Sequence, residues 1–400
     1  MSQMSRNGVA ARFRHEFFRY AKDRALISLT LLIPAVLFTL FCLIYGRGTI
    51  TGIPVMVCDA DHSVLSRTLA RGVEASGTMR IVHYTGDLDD LARQLRQGRV
   101  AGAFYFPCGM EREIKRGEQG FPVFYKNSQN VQVGNLLARE ATAVFRTING
   151  GVLLQKFRAG GLTQDQALGI INPVSTDVSV LYNPNFNYTQ FLCPGLIFAQ
   201  FQVMIMIAAI LLFNRDYRNT SGDDPAAPRS GAAATLVARS APVCAAFVAM
   251  ASLVLFVLFP IFNIRIIGPL LPTFGAVMLF IAASFVPGIL IGLLVRKAVS
   301  GMALGILINM PAFIFSGFTY PLWAFPEPYA ILANALPFTH FAPAFFQIAF
   351  VNAPVPYAMP GLARLALFAV VPLPLILILL SRESARALRL NDGAAESGGA

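Results

Sequence analysis

Phe315-Ser316-Gly317-Phe318-Thr319-Tyr320-Pro321-Leu322-Trp323-Ala324-Phe325-Pro326-Glu327, running on to Leu336-Pro337-Phe338-Thr339-His340, is the stretch on which the reading of this chain turns. It is apolar enough for lipid, it holds the only tryptophan, and it carries no Lys or Arg. Pro321, Pro326, Pro328 and Pro337 forbid one straight spanning helix, because each lacks a backbone donor and its ring clashes with the preceding turn. The pattern predicts a helix that ends near Gly317, then short broken helices that dip back into the outer leaflet before the chain crosses again.

The rest of the composition agrees with a lipid setting. Of 400 residues, 55% are hydrophobic and only 13% are charged, and the mean hydropathy of +0.58 is too high for an ordinary soluble fold. The net charge of +11 does not point to nucleic acid. The basic residues cluster beside apolar runs, where they set topology, and no RNA- or DNA-binding pattern accompanies them.

Working outward from the opening stretch, residues 1–24 predict an interfacial amphipathic helix, with Phe13, Phe17 and Tyr20 on one side and most of Arg12, Arg14, Arg19 and Lys22 elsewhere around it. Residues 25–45 form a first span of about the 20 residues needed to cross, too long for a signal-peptide core. From 47 to 185 the character is that of an α/β domain. Strands are expected at Ile53–Cys58, Met79–Tyr84, Val100–Phe106, Pro122–Tyr125 and Thr176–Leu181. Helices are expected at Ser63–Ala75, Leu88–Gln97, Glu111–Arg116 and Val131–Arg158. A second span at 188–213 and a polar loop at 214–240 follow. Further spans are expected at 241–263, 271–295, 302–315 and 362–381, with the re-entrant hairpin at 316–361 and a tail at 382–400. The fold class is thus a polytopic α-helical membrane protein with six transmembrane helices, an inserted α/β domain and a re-entrant hairpin between spans five and six.

Counting Lys and Arg orients it. Six precede the first span, the 214–240 loop has four, the next turn on that side has Arg296 and Lys297, and the tail has Arg382, Arg386 and Arg389. The opposite side has Arg265 in one turn and none between Phe318 and Gly361. Both termini are expected in the cytoplasm and the α/β domain outside, which in a Gram-negative cell means the inner membrane with a periplasmic domain.

Few residues suggest chemistry. Cys42, Cys193 and Cys244 fall in apolar spans and read as small hydrophobes. Cys58 and Cys108 each close a predicted strand in an oxidising compartment, so a disulfide is permissible there, and two free thiols are the alternative. The four histidines are too scattered for a metal site, and no metal is expected. Asp59, Asp61 and Ser63 at a strand-to-helix turn read as helix caps more readily than as a hydrolytic centre. Glu327 between two prolines reads as a solvated or capping carboxylate, with a gating contact as the sharper alternative. His340 is either structural or a sensor of external pH. No Gly-Lys dipeptide exists, so the chain has no P-loop and its energy must come from elsewhere. Glu327 is the only carboxylate between Pro225 and Arg382, which disfavours proton-coupled transport.

The Ser-Gly-Phe at 316–318, with Pro321, Pro326 and the Leu336-Pro337-Phe338-Thr339 run, resembles the signature that precedes the sixth span in ABC-2 type permeases, the membrane subunits of ATP-binding-cassette exporters. Ile53-Pro54-Val55-Met56-Val57-Cys58-Asp59, with Ser63, Ser66 and Arg67, and Tyr182-Asn183-Pro184-Asn185-Phe186-Asn187-Tyr188 resemble the subgroup with a large outer domain. The loop after span two departs from the family: Asn214-Arg215-Asp216-Tyr217-Arg218-Asn219-Thr220 keeps the charges but lacks the Glu that usually stands ahead of Gly-Thr.

The resemblance implies a permease with no cofactor of its own, working as a homo- or heterodimer with a separate ATPase that holds the ATP. It further implies coupling through Arg14, Arg19, Arg215, Asp216, Arg218, Arg296 and Lys297, and a gate at Ser316, Gly317, Tyr320, Pro321, Glu327, Pro337, Thr339 and His340. The Val131–Arg158 helix, with Leu136, Leu137, Val144 and Phe145 near one side, reads as core packing, its remaining surface a candidate face for a second copy or a periplasmic adaptor. Phe-rich spans with few hydrogen-bonding groups suit an amphiphilic or apolar substrate and contact with membrane lipids. The reading from another class is a membrane-anchored binding or assembly protein that captures a partner without transport.

Overall fold

The computed structural model describes residues 3–173, 179–183, 187–220, 231–383 and 385, excepting the side chains of 3–12, 219 and 220. Helix α1 (Gln3–Lys22) meets α2 (Arg24–Tyr45) at Asp23, whose Oδ1 accepts from Ala25 N and Leu26 N at 3.1 Å. This is the short-side-chain acceptor that a helix start requires. An inserted unit follows, with β1 (Ile53–Asp59), α3 (Val64–Ala75), β2 (Met79–Thr85), α4 (Leu88–Arg96), β3 (Gly102–Phe106), α5 (Met110–Arg116), β4 (Val123–Lys126), α6 (Val131–Ala159) and α7 (Gln164–Ile171). The chain then runs through α8 (Tyr188–Phe213), the short α9 (Arg215–Thr220), α10 (Ala232–Ile261), α11 (Leu270–Leu294) and α12 (Ala298–Phe315). A 3-10 turn at Leu322–Ala324 leads to α13 (Glu327–Asn334), α14 (Pro337–Ala349) and α15 (Val355–Glu383).

Among the described residues six helices, α2, α8, α10, α11, α12 and α15, are long and apolar enough to cross a membrane. The chain divides into two compact units, residues 49–179 and the remainder.

In the helical unit α8 is the centre: 78% of its most apolar stretch is buried, against 11% for α15 at the periphery. Two glycine steps let neighbours close on it. A Cβ on Gly292 of α11 would lie 2.6 Å from Ile210 O, and one on Gly288 would lie 2.8 Å from Met206 O. On α12, a Cβ at Gly301 or Gly305 would meet the Ile210 side chain at 2.9 and 2.7 Å. Ile210 is therefore wedged between two small-xxx-small surfaces, the close backbone approach by which helices associate in lipid.

Two of the helices carry a π-type turn just ahead of a proline. A π-type turn at Ser28–Leu32 precedes Pro34, and another at Val254–Leu258 precedes Pro260. Each widens the helix just ahead of the ring that would otherwise strike a carbonyl.

Gly48, in the left-handed region at φ +67°, accepts from Tyr188 N at 2.8 Å, so the two strands of chain that lead into and out of the insertion lie side by side. At the same end the Gln190 side chain pairs with both backbone groups of Arg265, at 2.8 and 2.9 Å.

The inserted unit is a four-stranded sheet in the order β2-β1-β3-β4, parallel across β2, β1 and β3 and antiparallel at β4. Alternation along β1 sends Val55 and Val57 into one core with Leu69, Val73, Leu137 and Val144 of α3 and α6. Met56 and Cys58 enter a second core with Leu91 of α4 and Val100. Both faces of the central strands are thus covered, as parallel pairing requires.

Of the expected strand at Thr176–Leu181, residues 174–178 lie outside the described residues and 179–181 are not in a strand. Residues 184–186 of the Tyr182–Tyr188 motif, the loop tip at 221–230 and the tail from 386 also lie outside them, as does the side chain of Arg12.

Candidate functional site

The residues of the opening stretch form a broken hairpin packed into the helical unit. Ser316 is buried and ends α12, its Oγ donating to Phe313 O at 2.7 Å and accepting from Phe318 N at 3.2 Å. Gly317 takes φ +80°, and a Cβ there would sit 2.8 Å from Leu322 Cγ, so a side chain is excluded on both counts. Phe318 stacks on Phe191 of α8 at 4.5 Å, in space left by Gly195 of that helix. Phe318, Phe191, Phe346, Trp323, Ser316 and Pro343 contribute to an apolar cavity of about 410 Å³. Pro321, also exposed, contributes to its lining, and Tyr320 is exposed.

Glu327 is exposed in the first turn of α13, where its charge favours the positive end of the helix dipole. Pro337 opens α14, where a missing amide costs nothing. Thr339 Oγ1 donates to Phe315 O at 3.5 Å, and His340 Nε2 donates to Asn334 O at 2.9 Å. A carbonyl only accepts, so the Nε2 proton of His340 is assigned. The start of α14 is thereby tied to the end of α12 and the end of α13.

Nearly all of α14 is buried. Phe338, Phe341 and Phe345 pack against Phe198 of α8 and Phe280 of α11, with Phe280 and Phe341 stacked at 4.0 Å. The end of α14 is held by main chain: Ile267 N and Gly268 N, in the turn between α10 and α11, both donate to Ala349 O, at 2.9 and 3.0 Å.

A second cluster gathers around the six residues of α9. Asn214 caps in both directions. Its Nδ2 donates to Val295 O at 2.7 Å and Gly292 O at 3.3 Å at the end of α11, while its Oδ1 accepts from Asp216 N and Tyr217 N. Asp216 Oδ2 accepts from Ala298 N at 3.3 Å, the first amide of α12. Tyr217 Oη donates to the Asp23 carboxylate at 2.8 Å, at the junction of α1 and α2. Arg215 and Arg218 both reach Glu383 at the end of α15, at 2.8 and 3.6 Å. Asn214 and the short helix it caps therefore contact the ends of α2, α11, α12 and α15 as well as following α8.

Beside it, Glu16 of α1 is buried and accepts from Arg239 Nε of α10 at 3.3 Å and pairs with Arg19 at 3.5 Å. Of the seven basic and acidic residues singled out from the sequence, Arg215, Asp216 and Arg218 converge on α9 and Arg19 joins the Glu16 pair. Arg14, Arg296 and Lys297 are exposed. Sequence reading missed Asn214, Tyr217, Asp23, Glu16, Arg239 and Glu383. The only local signal was the Asn ahead of Arg215-Asp216, a residue type that favours helix starts.

In the inserted unit, Cys58 is buried and Cys108 is exposed, and both are free thiols. Of the two readings left open by the sequence, the structure has the free thiols: Cys58 pairs in register with Tyr105 and Cys108 lies three residues further on, in the turn into α5. Burial pushes the Cys58 thiol up, away from reactivity. The acidic turn is occupied in capping: Asp59 Oδ1 accepts from Asp61 N and His62 N, Ser66 Oγ donates to Asp59 Oδ2, Ser63 and Ser66 form a reciprocal capping box, and Asp61 Oδ2 accepts from Glu111 N.

Six apolar helices, a buried half-length helix ahead of the last of them and a polar node joining their ends are the make-up of a multi-pass membrane protein. The chain belongs to the ABC-2 transporter family: the family described as ABC-2 family transporter protein matches residues 24–378, from the start of α2 almost to the end of α15. No curated protein was found to match the chain. Proteins of this family are membrane transport subunits and typically work with an ABC ATPase.

Proposed function

We propose that the chain is the permease subunit of an ATP-driven exporter, acting as a homo- or heterodimer and moving an amphiphilic or apolar molecule outward with ATP hydrolysed on a separate ATPase. The observation that carries this reading is the node at α9. Within a chain of this family, Asn214 and the six-residue helix it caps are bonded to the ends of α2, α11, α12 and α15, which gives one push on this junction four outlets.

The exposed Arg14, Arg296 and Lys297 are the proposed contact points for the ATPase on the basic side of the membrane, and the Lys and Arg asymmetry supports a cytoplasmic location for that side and both termini. The α/β unit then lies outside, periplasmic in a Gram-negative cell, where α6 offers a face to an adaptor. The hairpin of Ser316, Gly317, Tyr320, Pro321, Glu327, Pro337, Thr339 and His340 is re-entrant and forms the outer gate. In support, α14 has 13 residues and so is about 20 Å long, short of the ~30 Å hydrocarbon core, yet it is buried among Phe side chains.

The test is to co-purify the full chain with a candidate ABC ATPase and reconstitute both in liposomes. A stable complex whose ATP hydrolysis rises with an added amphiphile, and which moves that amphiphile across the bilayer, is expected. A folded chain that binds no ATPase would sink the proposal in favour of a membrane-anchored capture protein.

A further inference from the structure

Arg364 is out of place by composition. Between Lys297 and Arg382 the only charged side chains are Glu327 and Arg364, and Arg364 stands on α15, a helix otherwise apolar up to Ser381. The apolar run Leu365–Leu380 is 16 residues, about 24 Å of helix, bounded by Arg364 at one end and Arg382 at the other. That spacing puts the two guanidinium groups at opposite headgroup levels, since an arginine deep in hydrocarbon is costly unless it reaches the interface or a partner. Arg364 is exposed, and among the described residues it has neither a hydrogen bond nor an ion pair.

Directly beneath it lies a groove of about 580 Å³ between α15 and the α13–α14 corner. Its polar end is Arg364, His340 and Asn334; its walls are Leu367, Phe368, Val371 and Pro372. The wall residues follow Arg364 at three, four, seven and eight positions, one stripe of a helix, so the apolar floor runs about 12 Å along the helix toward mid-membrane. His340 is fixed at the rim by its bond to Asn334 O and by the Phe368 ring at 5.8 Å. The α15 backbone comes close enough to hold the groove's far wall, because a Cβ on Gly361 would be 3.0 Å from His340 O.

From this arrangement we infer that the groove binds an acidic phospholipid, its phosphate on the Arg364 guanidinium and one acyl chain along Leu367, Phe368 and Val371. A lone unpaired cation at headgroup depth selects an anion, and a guanidinium matches a phosphate bidentately. The apolar stripe that begins one turn below selects an anion with a hydrocarbon tail. The inference rests on the membrane reading of α15 but not on ATP-driven export, so it stands or falls separately from the complex with an ATPase.

The test uses the full chain with Trp323→Phe and Leu367→Trp, which leaves one indole in the groove. It is reconstituted with phosphatidylglycerol or phosphatidylcholine brominated on the acyl chain. Brominated phosphatidylglycerol is expected to quench the indole at about tenfold lower mole fraction than phosphatidylcholine, Arg364→Gln to remove that difference, and Arg364→Lys to retain part of it. Inorganic phosphate is expected not to compete. Equal quenching by both lipids, or selectivity that survives Arg364→Gln, overturns the proposal. Competition by phosphate makes this a free-anion site, and an indole that no lipid quenches is covered by a second copy of the chain; either result also overturns it. Arg364→Lys keeps the test decisive if Arg364→Gln fails to fold.

Discussion

Replacing Gly292 by alanine tests the central helix crossing directly. The new Cβ would lie 2.6 Å from Ile210 O and 3.1 Å from Ile210 Cα, where ordinary contact begins near 3.4 Å. The obstacle is backbone, so no rotamer relieves it, and α8 and α11 must part by about 0.8 Å at their tightest point. Overpacking of this kind costs roughly 1–3 kcal/mol.

Two other substitutions calibrate the result. Gly305→Ala meets only the Cδ1 end of Ile210 at 2.7 Å, which can swing aside, so its cost is expected to be about 1 kcal/mol or less. Gly275→Ala, on the same helix as Gly292, meets nothing within 4 Å, and alanine's better helix propensity is expected to raise stability by roughly 0.5 kcal/mol. Thermal inactivation of the full chain in one detergent, followed by size exclusion, should therefore rank Gly292→Ala lowest, Gly305→Ala next and Gly275→Ala at or above the native chain. If Gly292→Ala matched Gly275→Ala, the α8–α11 contact would not be the close crossing described, and the reasoning would fail.

The Glu16–Arg239 pair and the α9 node offer further checks. Arg239→Ala leaves Glu16 buried with Arg19 as its remaining partner here, and is expected to cost about 3 kcal/mol, the low end for severing a buried pair. Removing both partners with Glu16→Gln and Arg239→Met should cost less than the sum of the single changes in a double-mutant cycle. Asn214→Ala deprives Val295 O and Asp216 N of their bonds; a loss of roughly 2 kcal/mol is expected, together with weaker stimulation of the ATPase in the reconstituted complex.

In the inserted unit, Arg93 and His83 hold the Asp90 carboxyl well below the usual carboxylate range. A depressed carboxylate stabilises the fold above its unfolded value of about 3.9, and that contribution is lost as pH falls from there toward the folded value. Hydrogen-exchange protection of α4, corrected for the intrinsic rate, should drop on acidification through that window. Asp90→Asn should show the lower protection already at pH 7 and a flatter pH profile.

The six spans and the α/β insertion were legible because apolar runs and period-two alternation are local signals. Where the helices begin was less so, and for two of them the partner involved lies far away in sequence. Span five was expected from Met302, but α12 starts at Ala298, whose amide is bonded by Asp216 across 82 positions. Arg239 reads as loop in the 214–240 segment, yet it is inside α10, which starts at Ala232, because Glu16 supplies its counter-charge. The last helix runs from Val355 rather than 362, since Pro354 and Pro356 suit a helix start and Pro360 is carried inside it. The hairpin's prolines announced broken helices, but not that α14 would be the most Phe-rich part of the core. Whether Cys58 and Cys108 pair was left open because register, which no spacing in the sequence shows, decides it.

The paired bonds from Ile267 N and Gly268 N to Ala349 O carry a mechanical meaning. They act as a hitch rather than a contact, because they join main chain to main chain and leave no side chain to slip. A Cβ at Gly268 would fall 1.8 Å from Ile348 O, so the coupling admits no play on that side either. Any stroke of α14 longer than a hydrogen bond tolerates must snap both links or tow the α10–α11 turn with it. The end of the hairpin and the turn between that pair of helices are therefore joined through main chain, which is where a displacement of one would be passed to the other.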